Sequence, residues 1–184
     1  MSGTVLVVDM LNDFVDGAFG NPLAKEIIGP IATLVDAARS DPDWHVVYAN
    51  DAHQPGDFEF RAFPPHSLSG THAAEVVADL APGPDDLVVT KRCYSAFTFT
   101  DLALTLHVLG VDRVVIVGQQ TDCGVRHTAY DAFTQGLAIT VASDGTAVSG
   151  PMSEEPAETR QARALDYLRR YYGARVTTAA HALI

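Results

Sequence analysis

Thr4-Val5-Leu6-Val7-Val8-Asp9 is a short run of largely β-branched residues that ends at an acid. An unbroken run of this kind is typical of a strand buried on both faces of a parallel sheet. Comparable runs, bounded by turn residues, recur along the chain at 45–49, 87–90, 113–117, 138–142 and, more briefly, 175–177. The sequence therefore predicts about six strands.

Between these runs, apolar residues recur at helical intervals. The segments with this spacing are 24–39, 100–109, 125–133 and 154–172, the last followed by Gly173 as a helix stop. Strands that alternate with helices predict an α/β fold with three layers, α/β/α, built around a six-stranded parallel sheet. In such folds the functional groups lie at the carboxyl ends of the strands.

Two segments lack either period and are predicted loops: 51–71, rich in proline, glycine, histidine and aromatic residues, and 143–156. A loop as long as the first is uncommon in a compact domain unless it is functional. No internal repeat or linker is evident. A chain of 184 residues matches one ordinary domain, so we expect a single domain over 1–184.

Composition and charge exclude several classes of protein. The chain is 47% hydrophobic and 19% charged, with a formal net charge of −11. A negative field repels phosphate backbones and anionic bilayers, so neither nucleic acid nor a membrane is expected as a partner. The first apolar run is too short to span a membrane and carries no basic leader. We expect a cytoplasmic protein whose two cysteines stay reduced.

Three chemically useful side chains follow three predicted strands: Asp9 after the first, Lys91 after the third and Cys123 after the fourth, at the start of a helix. Such a thiol gains thiolate character from the helix dipole and a nearby cation. The aspartate would take the thiol proton, and the lysine would stabilise charge. Each residue alone fits a plainer role, as a turn residue, a solvated cation or a small buried side chain.

Five motifs follow one another along the chain: Val7-Val8-Asp9-Met10-Leu11-Asn12-Asp13-Phe14, Asn50-Asp51-Ala52-His53, Phe63-Pro64-Pro65-His66-Ser67-Leu68-Ser69-Gly70-Thr71, Lys91-Arg92-Cys93-Tyr94-Ser95-Ala96-Phe97 and the elbow from Gly118 to Ala132. In this order they resemble the isochorismatase-like cysteine hydrolases, especially their nicotinamidase-like members, over essentially the whole chain.

The resemblance implies the roles of particular residues. Asp9 would be the general base, Lys91 the charge stabiliser and Cys123 the nucleophile, which forms a thioester that water releases. It also implies a cis peptide near Gln119-Gln120 that turns a backbone amide toward the oxyanion. The residues expected to contact the substrate are Phe14, Phe63, Gln120 and Gly124.

The resemblance also marks a metal site in the long loop, at Asp51, His53 and His66. One carboxylate and two imidazoles suit Zn, Fe or Mn with waters completing the shell. A structural role is equally open, in which Asp51 caps a turn and His53 bonds to the backbone. Glu59 is a weaker candidate as a fourth ligand. No organic cofactor is expected.

The elbow departs from the family pattern at its most important position. The family spaces its nucleophilic cysteine three residues after a threonine, and counting from Thr121 that position is Gly124. Cys123 falls one residue early, which on a helix turns a side chain by about 100°. Three explanations are open: a rewound elbow lets Cys123 attack, the nucleophile is lost, or Cys93 replaces it.

The predicted function is cysteine-dependent hydrolysis of a C–N bond in a small, planar carboxamide, with nicotinamide the nearest guess. The alternatives are an inactive small-molecule or partner-binding protein with Gly124 at the nucleophile position and, disfavoured by the metal-loop motif, an isochorismate-type vinyl ether hydrolase. The partner expected in each enzyme case is a small-molecule substrate. A homo-oligomer is also expected, because the family resemblance implies it and because the long loop is expected to expose Phe58, Phe60 and Phe63 near one another.

Overall fold

The computed structural model describes residues 2–149 and 153–184, and the strands within them form one parallel sheet. The strands are β1 (Ser2–Val8), β2 (Trp44–Asp51), β3 (Leu87–Lys91), β4 (Val111–Gln119), β5 (Ala138–Ala147) and β6 (Arg175–Thr177). The order across the sheet is β3-β2-β1-β4-β5-β6, so the six-stranded parallel sheet predicted from the sequence is confirmed.

The helices are α1 (Asn12–Val15), α2 (Pro22–Glu26), α3 (Ile28–Arg39), α4 (Leu102–Val108), α5 (Gly124–Thr134) and α6 (Ala157–Tyr172), with short 3₁₀ turns between some elements. The single helix predicted over 24–39 is wrong, because the chain breaks at Ile27 into α2 and α3. The cause is Pro30, which has no N–H to donate to the carbonyl of Glu26 and is tolerated only in the first turn of a helix.

Helices cover both faces of the sheet. Successive side chains of β1 point to opposite faces, so Val5 and Val7 pack in one core with residues of α3. Leu6 and Val8 pack in the other, with residues of α4, α5 and α6. The two separate cores confirm the predicted three layers.

The two predicted loops are shorter than expected. Asp51 belongs to β2, and Phe58–Arg61 forms a 3₁₀ turn within the first loop. The second loop was predicted to start at residue 143, but β5 continues to Ala147 after a register shift, pairing Thr146 with Gly118 and Ala147 with Gln119. Residues 150–152 of that loop lie outside the described residues.

The order of the strands reverses between β1 and β4, which are neighbours in the sheet although β2 and β3 separate them in the chain. A crevice opens at the carboxyl ends of two strands at such a point and is the usual ligand site of an open α/β sheet.

Across 2–149 and 153–184, none of the helices combines the length and apolarity that crossing a bilayer requires.

Candidate active site

A buried cluster of three charged side chains lies at the carboxyl edge of the sheet. The Lys91 ammonium donates to Asp9 Oδ2 at 2.7 Å and to Asp51 Oδ1 at 2.6 Å. All three side chains are almost completely excluded from solvent. The structure thus brings together Asp9 and Lys91, which the sequence predicted at separate strand ends, and adds Asp51 to them.

The cluster contains two carboxylates and one ammonium, and the pKa values of the two carboxyl groups shift in opposite directions. Burial and the nearby Asp51 charge raise the pKa of Asp9 to about 7, although Lys91 opposes the shift. Burial would also raise the pKa of Asp51, but Lys91 and His53 outweigh it and hold that pKa below its usual value. Burial would lower the pKa of Lys91, yet the two carboxylates raise it. Asp9 is the member of the cluster most ready to exchange a proton near neutral pH.

The backbone at the end of β1 directs the Asp9 side chain into the crevice. Asp9 has a φ of 52°, in the left-handed region that few residues other than glycine, asparagine and aspartate adopt. The Asp51 N–H donates to Asp9 Oδ1 at 2.8 Å, and the Gln119 side-chain amide donates to the Asp9 carbonyl at 3.2 Å. Contacts from β2 and β4 therefore hold an uncommon conformation in place, as is frequent at functional sites.

The turn from β4 into α5 forms the opposite wall of the crevice. Gly118 has a φ of 106°, and a Cβ there would lie 2.0 Å from the Val8 carbonyl oxygen, so no other residue fits. The peptide bond between Gln119 and Gln120 is cis, as the resemblance implied. Cys123 is the residue before α5, and Gly124 is its first residue.

Cys123 and Gly124 both line the crevice but differ in their relation to Asp9. Burial, with the charge of Glu59, raises the pKa of the Cys123 thiol to about 12. Within the described ranges this thiol makes no hydrogen bond to Asp9 or Lys91. A Cβ on Gly124, in contrast, would lie 3.4 Å from Asp9 Oδ2. The side-chain direction at position 124 therefore leads to Asp9, while the Cys123 thiol lies close enough to Lys91 and Asp9 for their charges to act on its pKa.

The crevice is a cavity of about 50 Å³ with aromatic walls. Its lining includes the four residues expected to contact a substrate, which are Phe14, Phe63, Gln120 and Gly124. Phe19, Tyr94, Gln119 and Glu59 complete the wall and were not assigned to a substrate site from the sequence. Aromatic walls above a charged floor suit a small planar ligand with a polar end.

The proposed metal ligands converge beside this cavity. Asp51, His53 and His66 are buried, and each offers one ligand atom within 4.8 Å of the other two. His53 Nε2 lies 3.6 Å from Asp51 Oδ2 and, within the part of the chain the structure describes, has no hydrogen-bond partner. An imidazole nitrogen that is buried without a partner and faces a carboxylate fits a metal ligand.

Glu59 reaches the same cluster. Its carboxylate oxygens lie 3.8 Å from His53 Nε2 and 3.5 Å from His66 Nε2. Burial would lower the pKa of His53, but the neighbouring Asp51, Asp57 and Glu59 raise it to about 9. The set therefore contains two carboxylates and two imidazoles. The sequence predicted the carboxylate of Asp51 and gave Glu59 as a weaker candidate.

Hydrogen bonds fix the ligand-bearing loop in place. The Ser67 N–H donates to Asp13 Oδ2 at 2.7 Å, which holds the turn next to His66. His53 Nδ1 lies 2.9 Å from Asp57 Oδ2, and Arg92 in turn donates to the Asp57 carboxylate. A carboxylate on one ring nitrogen sets the tautomer of an imidazole, so Asp57 leaves His53 Nε2 free to act as a ligand.

The loop aromatics differ from the exposed group expected on the sequence. Phe58 is exposed, but Phe60 packs against the His53 and His66 rings and Phe63 lines the cavity. The expectation that three phenylalanines form an exposed patch is therefore wrong. The physical reason is that the loop packs against the imidazole rings of His53 and His66, which cover part of Phe60. Cys93 lies outside the cavity lining.

Comparison with known proteins places this arrangement in a family. The isochorismatase domain family model matches residues 4–181. The chain is 35% identical to the nicotinamidase/pyrazinamidase of Mycobacterium tuberculosis over an alignment of 164 residues that covers 78% of this chain and 85% of that protein. The chain therefore belongs to the isochorismatase family, which confirms the resemblance seen in its motifs.

Solved structures extend the comparison to the fold. The N-carbamoylsarcosine amidase of Thermoplasma acidophilum superposes with a TM-score of 0.87 at 35% identity and covers 97% of each chain. The pyrazinamidase of Pyrococcus horikoshii in complex with zinc superposes with a TM-score of 0.84 at 28% identity, over 97% of this chain and 99% of that one. The named relatives are thus hydrolases that act on C–N bonds.

Proposed function

We propose that the protein hydrolyses the C–N bond of a small planar carboxamide bound in this cavity. The observation that carries the proposal is the Lys91 ammonium held between Asp9 and Asp51 at the floor of an aromatic-walled cavity beside the start of α5. A buried base and a buried cation at one carbonyl can move a proton and offset the charge that develops on oxygen. The amidase relatives support the same reaction class.

The aromatic walls of the cavity favour an aromatic carboxamide such as nicotinamide. Phe14 and Phe19 line the cavity, as do Phe63 and Tyr94, and each offers a flat apolar surface to a ring. The nicotinamidase/pyrazinamidase relative supports such a substrate, while the N-carbamoylsarcosine amidase keeps ureido compounds as the next class to test.

A divalent metal ion is part of the proposal. Asp51, His53 and His66 would hold it, with Glu59 within reach as a fourth ligand. Zn, Fe and Mn all suit this set of nitrogen and carboxylate donors, and the zinc-bound pyrazinamidase relative supports zinc. Such an ion would supply positive charge beside the cavity, where it can orient a ligand donor atom.

The experiment that tests the proposed function is ammonia release from a panel of amides. Nicotinamide, pyrazinamide, maleamate and an N-carbamoyl amino acid are each incubated with the purified protein, and ammonia is followed by a coupled assay. Saturable release from an aromatic carboxamide, in preference to the other two classes, is the expected result. Release from no compound at millimolar concentration contradicts the proposal.

A second function is favoured by one observation, the glycine at the position whose side chain would face Asp9. In that case the protein binds a carboxamide without cleaving it. Binding of nicotinamide in calorimetry with no ammonia release supports this reading. It is strengthened if Gly124→Cys then creates amidase activity, because the variant supplies a thiol directed at Asp9.

A further inference from the structure

Asp57 is a buried acid to which the sequence assigned no role. Its side chain is 4% exposed, and its Oδ2 accepts the Gln54 N–H at 3.0 Å and lies 2.9 Å from His53 Nδ1. Arg92 Nε donates to both carboxylate oxygens at 3.0 Å, and Arg92 Nη2 donates to Oδ1. Several donors on one carboxylate, one of them a guanidinium, fix both its position and its orientation.

The end of β3 contacts two of the proposed metal ligands, one directly and one through this carboxylate. Lys91, the last residue of β3, donates to Asp51 Oδ1 at 2.6 Å. Arg92, the next residue, pairs with Asp57, which in turn contacts His53. The same strand end therefore holds both Asp51 and His53 in place.

The contact with Asp57 decides which nitrogen of His53 can bind an ion. A carboxylate paired with a guanidinium is ionised and only accepts hydrogen bonds, so His53 Nδ1 donates to it and Nε2 remains for a metal ion. Nε2 lies 3.6 Å from Asp51 Oδ2. His66 is supported in the same way by a backbone oxygen, since its Nδ1 lies 2.9 Å from the Pro64 carbonyl. Of these two supports, only the one at His53 comes from a side chain that a substitution can change.

We infer that Asp57, held by Arg92, is a positioning residue that sets the affinity of this site for a divalent metal ion. The inference rests on the metal ion proposed above and extends it to two residues outside the ligand set. Asp57 does not touch the ion and acts by keeping the His53 ring turned with Nε2 toward Asp51. A ligand that is already oriented before binding costs less free energy to order, so loss of Asp57 weakens binding.

Asp57→Asn tests the inference with little change in shape. The amide nitrogen of asparagine donates and cannot accept, so one remaining oxygen has to serve both Arg92 and His53. Zinc is the probe, and its affinity is measured by competition with a chromogenic chelator after the bound metal has been removed from the protein. Asp57→Asn is expected to weaken zinc binding by at least about tenfold. Arg92→Lys should weaken it by a smaller factor, because an ammonium cannot span both oxygens of Asp57.

A matched control lies at the other end of β3. Asp86 directly precedes the strand, and its side chain is 5% exposed. Like Asp57, it accepts the N–H of the residue three positions earlier, here Gly83 at 2.7 Å, and pairs with an arginine, here Arg39. Asp86→Asn should therefore lower the urea midpoint about as much as Asp57→Asn does, while zinc affinity stays that of the wild-type protein.

Zinc affinity unchanged in Asp57→Asn, or lowered equally in Asp86→Asn, overturns the inference. The readout is binding, so its failure is distinct from failure of the amide hydrolysis. A protein that shows the expected zinc affinities and releases no ammonia loses the proposed hydrolysis and keeps the inference. A wild-type protein that binds no zinc overturns the inference together with the proposed metal ion.

Discussion

Lys91 Nζ lies 2.7 Å from Asp9 Oδ2, and neither group is open to solvent. Asp51 accepts a second hydrogen bond from the same ammonium at 2.6 Å. Because one ammonium group neutralises two buried carboxylates, removing it should lower the free energy of unfolding, which can be measured without any substrate.

Lys91→Met removes the cation and is expected to destabilise the fold by about 3–5 kcal/mol, the cost of leaving buried charge uncompensated. The loss should be larger at pH 8 than at pH 5. Without Lys91 the folded-state pKa of Asp9 rises further above its unfolded value, and the pKa of Asp51 loses the main interaction that holds it low. Stability present at low pH is then lost as the pH rises through the folded pKa. Urea denaturation at both values measures it.

Lys25→Met is the matched control for that experiment. Lys25 forms an ion pair with Asp16 on the surface, where both side chains are exposed. Such pairs contribute about 0–1 kcal/mol, so little change is expected. A Lys91→Met variant no less stable than Lys25→Met would contradict the buried cluster.

The Cys123 thiol is expected to react slowly with iodoacetamide. Burial, with the nearby charge of Glu59, raises the pKa of this thiol to about 12, so little thiolate forms near neutral pH. In a Cys93→Ala background, where Cys123 is the remaining thiol, the rate should rise about tenfold per pH unit between 7 and 10. A rate that reaches a plateau near pH 8 would show a thiolate already formed.

Metal content should depend on the loop histidines in a residue-specific way. His53→Ala removes a ligand whose Nε2 faces Asp51 and Glu59, so elemental analysis after purification without chelator should find less than half of the wild-type content. His72→Ala is the control, because His72 is exposed and pairs with Glu75 away from the cluster. Equal metal content in both variants would contradict the ligand assignment.

Association in solution remains expected, although Phe58 is the one loop phenylalanine of the three first considered that is largely exposed. Phe58 and Phe99 are largely exposed, and so are Leu104, Val108 and Tyr171. Exposed apolar side chains that lie together in one patch commonly mark an interface. Light scattering at micromolar concentration should give a mass that is a multiple of 19.6 kDa. A mass near 19.6 kDa itself would contradict the prediction.

Much of the fold was predictable because its signals are local. The β-branched runs located every strand of the sheet, and only their ends moved, as at Ala147, where a register shift lets the chain keep pairing. The break at Ile27 was missed because apolar spacing continues through it, although Pro30 was a visible reason for it.

The main residues of the site could be predicted from the sequence, but the contacts between them could not. Asp9 and Lys91 could be placed at one edge because parallel strands end together, but the bridging position of Asp51 depends on the pairing of β2 with β3. Phe19 and Glu59 carried too weak a local signal, since a single aromatic or acidic residue in a loop has many ordinary roles. That the side-chain direction at Gly124 leads to Asp9 is a property of the folded elbow alone.

The central claim is that the cavity hydrolyses a carboxamide with Asp9 as the proton acceptor. The most direct test is the steady-state rate of ammonia release from nicotinamide by the wild-type protein and by Asp9→Asn, which keeps the shape of the side chain and removes its basicity. We expect release by the wild-type protein and a kcat lower by about 10²–10⁴-fold in the variant, as for the loss of a general base. Equal rates for the two proteins, or no release by either, would contradict the account.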